Sequence, residues 1–315
     1  MSTRFFRRDA AAGSPEVRER LLGIALISFA FFCFSVLDAT AKYLGATLPA
    51  EQIVWTRFAT HVVYAVLLFR IWRTPQVLHS RRWGLQILRS LLLLGTTVFN
   101  FFAVRYLQLA ETISIMFAAP FVVTALAGPL LNEWAGLRRW LAIIVGFIGV
   151  LIVTRPGFGG MHWAALLSVC SMVCYALYAL TTRMLAQTDS PVGMLLISAV
   201  VASLAITPVA VDVWVAPPDL TTWLLLLSTG AWGGIGHFAL IRAHVVAPAP
   251  VLAPFMYVQI LWMVALGYLI FADVPGAWTV VGASVVIASG LYILYRERRV
   301  GGTDPDAASA GRTET

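Results

Sequence analysis

Four ionisable side chains fall inside apolar runs: Asp38 and Lys42 in one run, Arg57 and His61 in the next. A charge at the centre of a bilayer costs about 2.5–3.5 kcal/mol on insertion scales, so each such residue needs a partner or a task. Asp38 and Lys42 are four residues apart and share a helical face, with the Lys42 stem able to carry its ammonium outward. Arg57 and His61 repeat that spacing. Two readings of Arg57 stand: a carboxylate-binding group with His61 as its hydrogen-bonding neighbour, or a structural partner of Asp38. Flanked by Lys42 and Arg57, Asp38 reads as a fixed charge, which favours solute movement down a gradient. His237 is then the remaining candidate for carrying a proton.

A second set of polar and aromatic residues lies in the middle of apolar runs. Asn100, Tyr175, Tyr178, Trp232, His237, Tyr257, Gln259 and Trp262 are expected to line a substrate-binding cavity. Asn and Gln gain nothing from facing lipid, and mid-depth Tyr and Trp lie away from the interfaces where these residues collect. Each has a packing alternative. Arg89 is close enough to a run's end to extend into the aqueous phase. Prolines mark breaks: Pro120, and the segment Ala247-Pro-Ala-Pro-Val-Leu-Ala-Pro254, where a missing N–H and a ring clash distort a helix. Kinks at Pro120 and Pro254 are candidate gating points, and Gly230, Gly233, Gly234 and Gly236 suit close helix contact.

The elements that position these residues follow from composition. The chain has 315 residues, 60% hydrophobic and 12% charged, with a mean hydropathy of +0.84. A soluble domain carries about 25% charged residues, so there is too little charge here to coat a water-facing surface. With about 20 apolar residues per crossing, the runs are 21–44, 51–72, 85–105, 108–130, 139–155, 163–186, 191–211, 221–243, 248–272 and 276–295. The expected fold is an all-α integral membrane protein of ten transmembrane helices. Residues 1–20 read as a cytoplasmic segment and 297–315 as a disordered tail. The first run is too long for a signal-peptide core and lacks an Ala-x-Ala site, so it reads as an uncleaved helix.

With the N-terminus inside, the Arg4–Arg20 group, Arg70, Arg73, Arg81, Arg82, Arg138, Arg139, Arg183, Arg242 and the Arg296–Arg299 cluster all fall on the inner side. Only Lys42, Arg105 and Arg155 fall outside. That asymmetry predicts both termini in the cytoplasm of a bacterial inner-membrane protein. The net charge of +7 is therefore topological, and no basic stripe with interleaved aromatics suggests nucleic acid. Cys33, Cys170 and Cys174 lie in apolar runs without a ligand pattern, so no metal or cofactor is expected. The chain also matches itself at a spacing of about 140 residues: Asn132-Glu133 and Gly136 against Ala272-Asp273 and Gly276, Cys33-Phe34 against Cys174-Tyr175. Five helices per half impose opposite orientations, giving two inverted repeats, 21–155 and 160–296, around a central cavity.

These features resemble the EamA-type branch of the drug/metabolite transporter superfamily over roughly 21–296. The residues carrying the resemblance are Arg57, Arg89, Pro120, Glu133, Gly146 and Gly149 in the first unit and Pro254, Gly282 and Gly290 in the second. Asp38-Ala-Thr-Ala-Lys42 and Gln52-Ile-Val-Trp-Thr-Arg57 resemble a bacterial metabolite-transporter subgroup. Asp273 stands where that family usually has Glu, and a second-half counterpart of Arg57 is missing. The resemblance implies a ten-helix carrier with relatives that export amino acids and other metabolites, and some that take up nucleoside-like sulfonium cofactors. The expected activity is secondary transport, more often outward, of small amino-acid-like metabolites, neutral or aromatic. The alternatives are uptake of a nucleoside-like metabolite such as S-adenosylmethionine, or a membrane partner without transport. No HExxH, paired aspartates, surface Ser/His pair or Walker A loop suggests an enzyme. The partners expected are a small-molecule substrate and the lipid bilayer, not nucleic acid, with the oligomeric state left open and compatible with a monomer.

Overall fold

The computed structural model describes residues 15–131, 137–155, 162–185, 188–247 and 252–300, all of it helix or short connection. In chain order the helices are α1 (Pro15–Leu44), α2 (Ala50–Phe69), α3 (Trp83–Tyr106), α4 (Leu109–Met116), α5 (Ala119–Leu131) and α6 (Leu137–Thr154). There follow α7 (Ala164–Leu185), α8 (Pro191–Asp212), α9 (Leu220–Val246), α10 (Gln259–Phe271) and α11 (Ala277–Val300). Glu133 and the segments 1–14, 248–251 and 301–315 lie outside the described residues.

Among the described residues seven helical segments are long and apolar enough to cross a membrane, one of them Leu109–Leu126, which runs through the α4/α5 interruption. Three shorter apolar helices accompany them: Trp140–Thr154, Phe255–Phe271 and Ala277–Tyr292. Their outward faces are apolar, as on α6, where Leu141, Ile144, Phe147 and Ile148 are all exposed. The chain is a multi-pass membrane protein.

The interruptions have a covalent cause. Pro120 is the second residue of α5, lacks an N–H, and its ring would collide with the carbonyl four residues back. The i→i−4 ladder therefore ends with Phe117 N–H donating to the Ile113 carbonyl at 3.0 Å and resumes with Val122 N–H on the Ala118 carbonyl at 3.4 Å, with tighter i→i−3 bonds between. In the second half Pro254 sits early in a 3-10 stretch, Ala253–Val258, that leads into α10. The two interruptions touch: the Phe117 and Tyr257 rings meet edge-on at 5.0 Å.

Helix α9 packs against α1 and α2, α3 against α7 and α8, α6 against α11, and α4 against α10. Small residues permit the closest of these approaches. A Cβ on Gly236 would lie 2.6 Å from the Phe34 ring, and one on Gly230 would overlap Thr60. Four buried clusters result among the described residues, two of them large. One of these two joins Leu109, Ile115, Phe121, Met263 and Val286, and the other joins Leu37, Ile53, Phe58, Ala202 and Leu226. Lipid is as apolar as leucine, so these clusters hold by close packing more than by escape from water.

Candidate functional site

A cavity of about 220 Å3 lies between the two halves of the chain. Its wall comes from α1 to α4 on one side and from α7, α9, α10 and the 3-10 stretch on the other. Of the residues expected to line it, Asn100, Tyr175, Tyr178, His237 and Gln259 do, together with Asp38 and Arg57. Trp232, Tyr257 and Trp262 are not among its lining residues. Trp232 is five residues from His237, about 140° around a helix at 3.6 residues per turn. It packs edge-on to Phe32 at 6.3 Å, as does Trp262 at 5.1 Å. Tyr257 fills the space over Gly290, where any Cβ would overlap its hydroxyl.

The lining also includes residues not singled out from sequence: Thr96, Thr97 and Phe101 on α3, Phe34 on α1, Phe117 and Ser171. A signal for them existed. Thr96, Thr97 and Phe101 share the helical face of Asn100, and Phe34 precedes Asp38 by one turn. The Thr96, Thr97 and Ser171 hydroxyls donate to the carbonyls of Leu92, Leu93 and Thr96 at 2.8–3.1 Å. What they turn to the cavity is therefore acceptor lone pairs.

The four charged candidates do not form one network. Asp38 Oδ1 accepts a hydrogen bond from Asn100 Nδ2 at 2.9 Å. Among the described residues no ion pair joins Asp38 to Arg57 or to Lys42. Lys42 Nζ instead meets Asp273 Oδ2 at 2.6 Å and donates to the Leu107 carbonyl at 2.9 Å. It also lies 4.8 Å from the centre of the Phe271 ring. The expectation that Lys42 flanks Asp38 is corrected by this geometry: the stem climbs one turn and is captured by the connection after α10. With Lys42 engaged elsewhere, Asp38 is not flanked by two cations.

Arg57 is 5% exposed, and its Nε and Nη1 have no hydrogen-bond partner. Its guanidinium carbon lies 4.4 Å from the centre of the Phe58 ring. Across from it runs the glycine-rich stretch of α9; a Cβ on Gly233 would be 3.6 Å from Nε. Such a surface offers no side-chain acceptor. His61 stacks on His237, ring centroids 6.3 Å apart, and its Nε2 is also without a partner.

The neighbouring motif residues serve structure. Gln52 clamps the backbone of Val215, donating from Nε2 to its carbonyl at 2.8 Å and accepting from its N–H at 3.0 Å. The Trp55 indole donates to Thr207 at 2.9 Å. Arg89 corrects a further expectation. Rather than extending to the aqueous phase it is 4% exposed. It donates to Thr182 (2.7 Å), the Met194 carbonyl (3.0 Å), Ser198 (2.6 Å) and the Tyr178 hydroxyl (2.8 Å). These bonds tie α3 to α7 and α8. Because Tyr178 accepts from Arg89, its own O–H remains to donate into the cavity.

At the α7–α8 turn, Asp189 is buried and accepts from Ser80 Oγ, from Thr188 Oγ1 at 2.9 Å and from Arg81 N–H at 3.4 Å. Burial pushes its carboxyl up, but those donors outweigh burial and hold it below the usual carboxylate range. At the opposite end Asp219 caps α9, accepting from Thr222 N–H at 2.8 Å, and is likewise lowered by the Thr222 N–H and hydroxyl.

The family model described as the EamA-like transporter family matches residues 21–155 and 162–295. The chain belongs to that family and carries two of its repeats. It is 27% identical over 280 residues to an S-adenosylmethionine uptake transporter of Rickettsia prowazekii, covering 89% of this chain and 94% of the relative. A riboflavin transporter of Vibrio cholerae is 27% identical over 286 residues, covering 89% and 95%. A pseudopaline exporter of Pseudomonas aeruginosa is 27% identical over 270 residues, covering 85% and 94%. One solved crystal structure superposes with a TM-score of 0.61 at 15% identity, covering 88% of this chain and 98% of its own, which bears on the fold alone. These relatives make the chain a small-molecule transporter.

Proposed function

We propose that the protein is a secondary carrier of the bacterial inner membrane that moves a small organic metabolite by exposing its central cavity alternately to the two sides. The observation carrying this reading is the cavity itself, lined by both repeats and by polar groups from each.

In this reading the three shorter apolar helices cross as well as the seven long segments, giving ten crossings, five per repeat. An odd number per repeat inverts the second against the first. The packing supports this relation. Exchanging the repeats turns the α1–α9 contact into α7–α3 and maps the α2–α8, α4–α10 and α6–α11 contacts onto themselves. The arginine asymmetry then favours cytoplasmic termini. The touching interruptions at Phe117 and Tyr257, beside Pro120 and Pro254, are the natural points for bending, since each already lacks part of its ladder. Amino-acid-like metabolites are the first reading of the cargo. S-adenosylmethionine, named for a relative, joins an amino-acid head to a nucleoside and so satisfies both readings made from sequence.

The test is counterflow in proteoliposomes loaded in turn with S-adenosylmethionine, L-tryptophan and riboflavin. Protein-dependent exchange of at least one compound is expected, and no exchange of any compound sinks the reading. A fluorescent reporter at the C-terminus should be active inside the cell, and a periplasmic phosphatase should work after Pro49 or Asp219. Phosphatase activity at the C-terminus would overturn the topology.

A further inference from the structure

The cavity holds a buried cation and a carboxylate that do not meet. Asp38 and Arg57 both line it, yet no ion pair joins them among the described residues. Leaving Arg57 Nε and Nη1 unpartnered is costly. A buried donor without an acceptor loses about 1–3 kcal/mol, more when charged, and Asp38 acts on Arg57 through space without supplying that acceptor. Natural folds rarely keep such groups without a use. The glycine stretch of α9 opposite the guanidinium supplies no acceptor, and the Phe58 ring covers it with a π-face only. Asp38 is engaged on one oxygen, by Asn100, and Oδ2 makes no hydrogen bond among the described residues.

We infer that the cavity is a dipolar site for a zwitterionic metabolite, its anionic group docking on Arg57 and its cationic group on Asp38, with an aromatic portion against the aromatic wall. The inference rests on reading the cavity as the substrate site. It assigns opposite duties to the two charges. Arg57 offers N–H donors in fixed planar array, suited to a carboxylate. Asp38, steadied by Asn100, offers an acceptor to an ammonium. The remaining wall is aromatic, with Phe34, Phe101, Phe117 and Tyr175 facing the void, and the Tyr178 hydroxyl adds a donor. A ligand carrying both charges satisfies both groups at once. A ligand with one charge leaves the opposite protein charge buried without a partner, and is disfavoured for that reason. An α-amino acid bearing an aromatic or heteroaromatic ring has this form, and S-adenosylmethionine carries the same pair on its amino-acid head with a sulfonium in addition.

The experiment deletes charges from the ligand first, so that it does not depend on any variant folding. Affinities of the purified full-length protein are measured by calorimetry for L-tryptophan, tryptamine and indole-3-propionate. S-adenosylmethionine, 5′-methylthioadenosine and riboflavin complete the panel. L-tryptophan or S-adenosylmethionine should bind, and the analogue lacking either charge should bind about 10- to 100-fold more weakly, the ratio expected for loss of a charge-assisted contact. In Arg57→Gln, L-tryptophan and tryptamine should become nearly equal. In Asp38→Asn, L-tryptophan and indole-3-propionate should. Equal binding of the zwitterion and either analogue by the unaltered protein overturns the inference. Binding or exchange of riboflavin while both zwitterions stay silent also overturns it and leaves the carrier reading intact. Silence across the whole panel in both binding and counterflow overturns both.

Discussion

Replacing Arg89 distinguishes a charge resting near the membrane edge from a buried knot. The side chain makes four hydrogen bonds of 2.6–3.0 Å to residues of α7 and α8. Bonds to a charged group contribute about 1.5–3 kcal/mol each before the cost of burying the guanidinium, which is several kcal/mol. Some of that loss would be recovered on removal, because the Met194 carbonyl still accepts from Gln86 Nε2 at 3.3 Å and Ser198 still accepts from Ser90 at 3.1 Å. Arg89→Ala should therefore destabilise by about 2–5 kcal/mol, the hydrogen bonds lost less the guanidinium burial no longer required. Arg89→Lys should recover little, since an ammonium cannot reproduce the planar fork that reaches Thr182, Met194, Ser198 and Tyr178 together. The assay is unfolding of the detergent-solubilised protein followed by size-exclusion monodispersity over a temperature series. Lysine matching arginine would refute the knot and restore the picture of a charge reaching the aqueous edge.

Three other perturbations follow from the same geometry. Lys42→Met and Asp273→Asn should each lower thermal stability by about 1 kcal/mol and the double variant by less than their sum, because the pair is only partly exposed; strict additivity would deny the contact. Gly282→Leu should destabilise by about 1–3 kcal/mol, since a Cβ there would already lie 2.6 Å from the Gly149 carbonyl of α6, and a stability unchanged from the parent would contradict that crossing. Asp189→Asn should destabilise at neutral pH. A carboxylate held below its unfolded value contributes fully above that value, so the gap between parent and variant should close as pH falls below about 4. A gap that persists at low pH would show that Asp189 does not act through its charge.

The helical architecture was legible because bilayer-length apolar runs and short polar connections leave little choice, and because Pro120 and Pro254 carry their breaks in covalent form. The cavity was half legible. Asn100 and Gln259 announced themselves as amides with no reason to face lipid, whereas Thr96, Thr97 and Phe101 look like ordinary apolar-helix residues until Asn100 fixes which face is inward. Trp232 and Trp262 misled because a mid-depth indole fits a packed helix crossing as well as a cavity. Lys42 was the hardest to place. Its partner Asp273 is 231 residues away, so local spacing pointed to Asp38, and only the packing of α10 against α1 brings the true partner near. Arg89 was misplaced for a similar reason: distance along its own helix said nothing of the acceptors on α7 and α8.

The central claim is that solute passes through the cavity between the repeats, and a block placed there after folding tests it. In a background with Cys33, Cys170 and Cys174 changed to serine, Thr97→Cys puts a thiol on the cavity wall, and Leu204→Cys, on a residue 68% exposed, puts one on the outer face of α8. Both proteins are reconstituted, treated with a bulky methanethiosulfonate, and assayed for counterflow of labelled S-adenosylmethionine and L-tryptophan. Modification should abolish flux through the Thr97→Cys protein and spare the Leu204→Cys protein. Undiminished flux through a fully modified Thr97→Cys protein would contradict passage through the cavity.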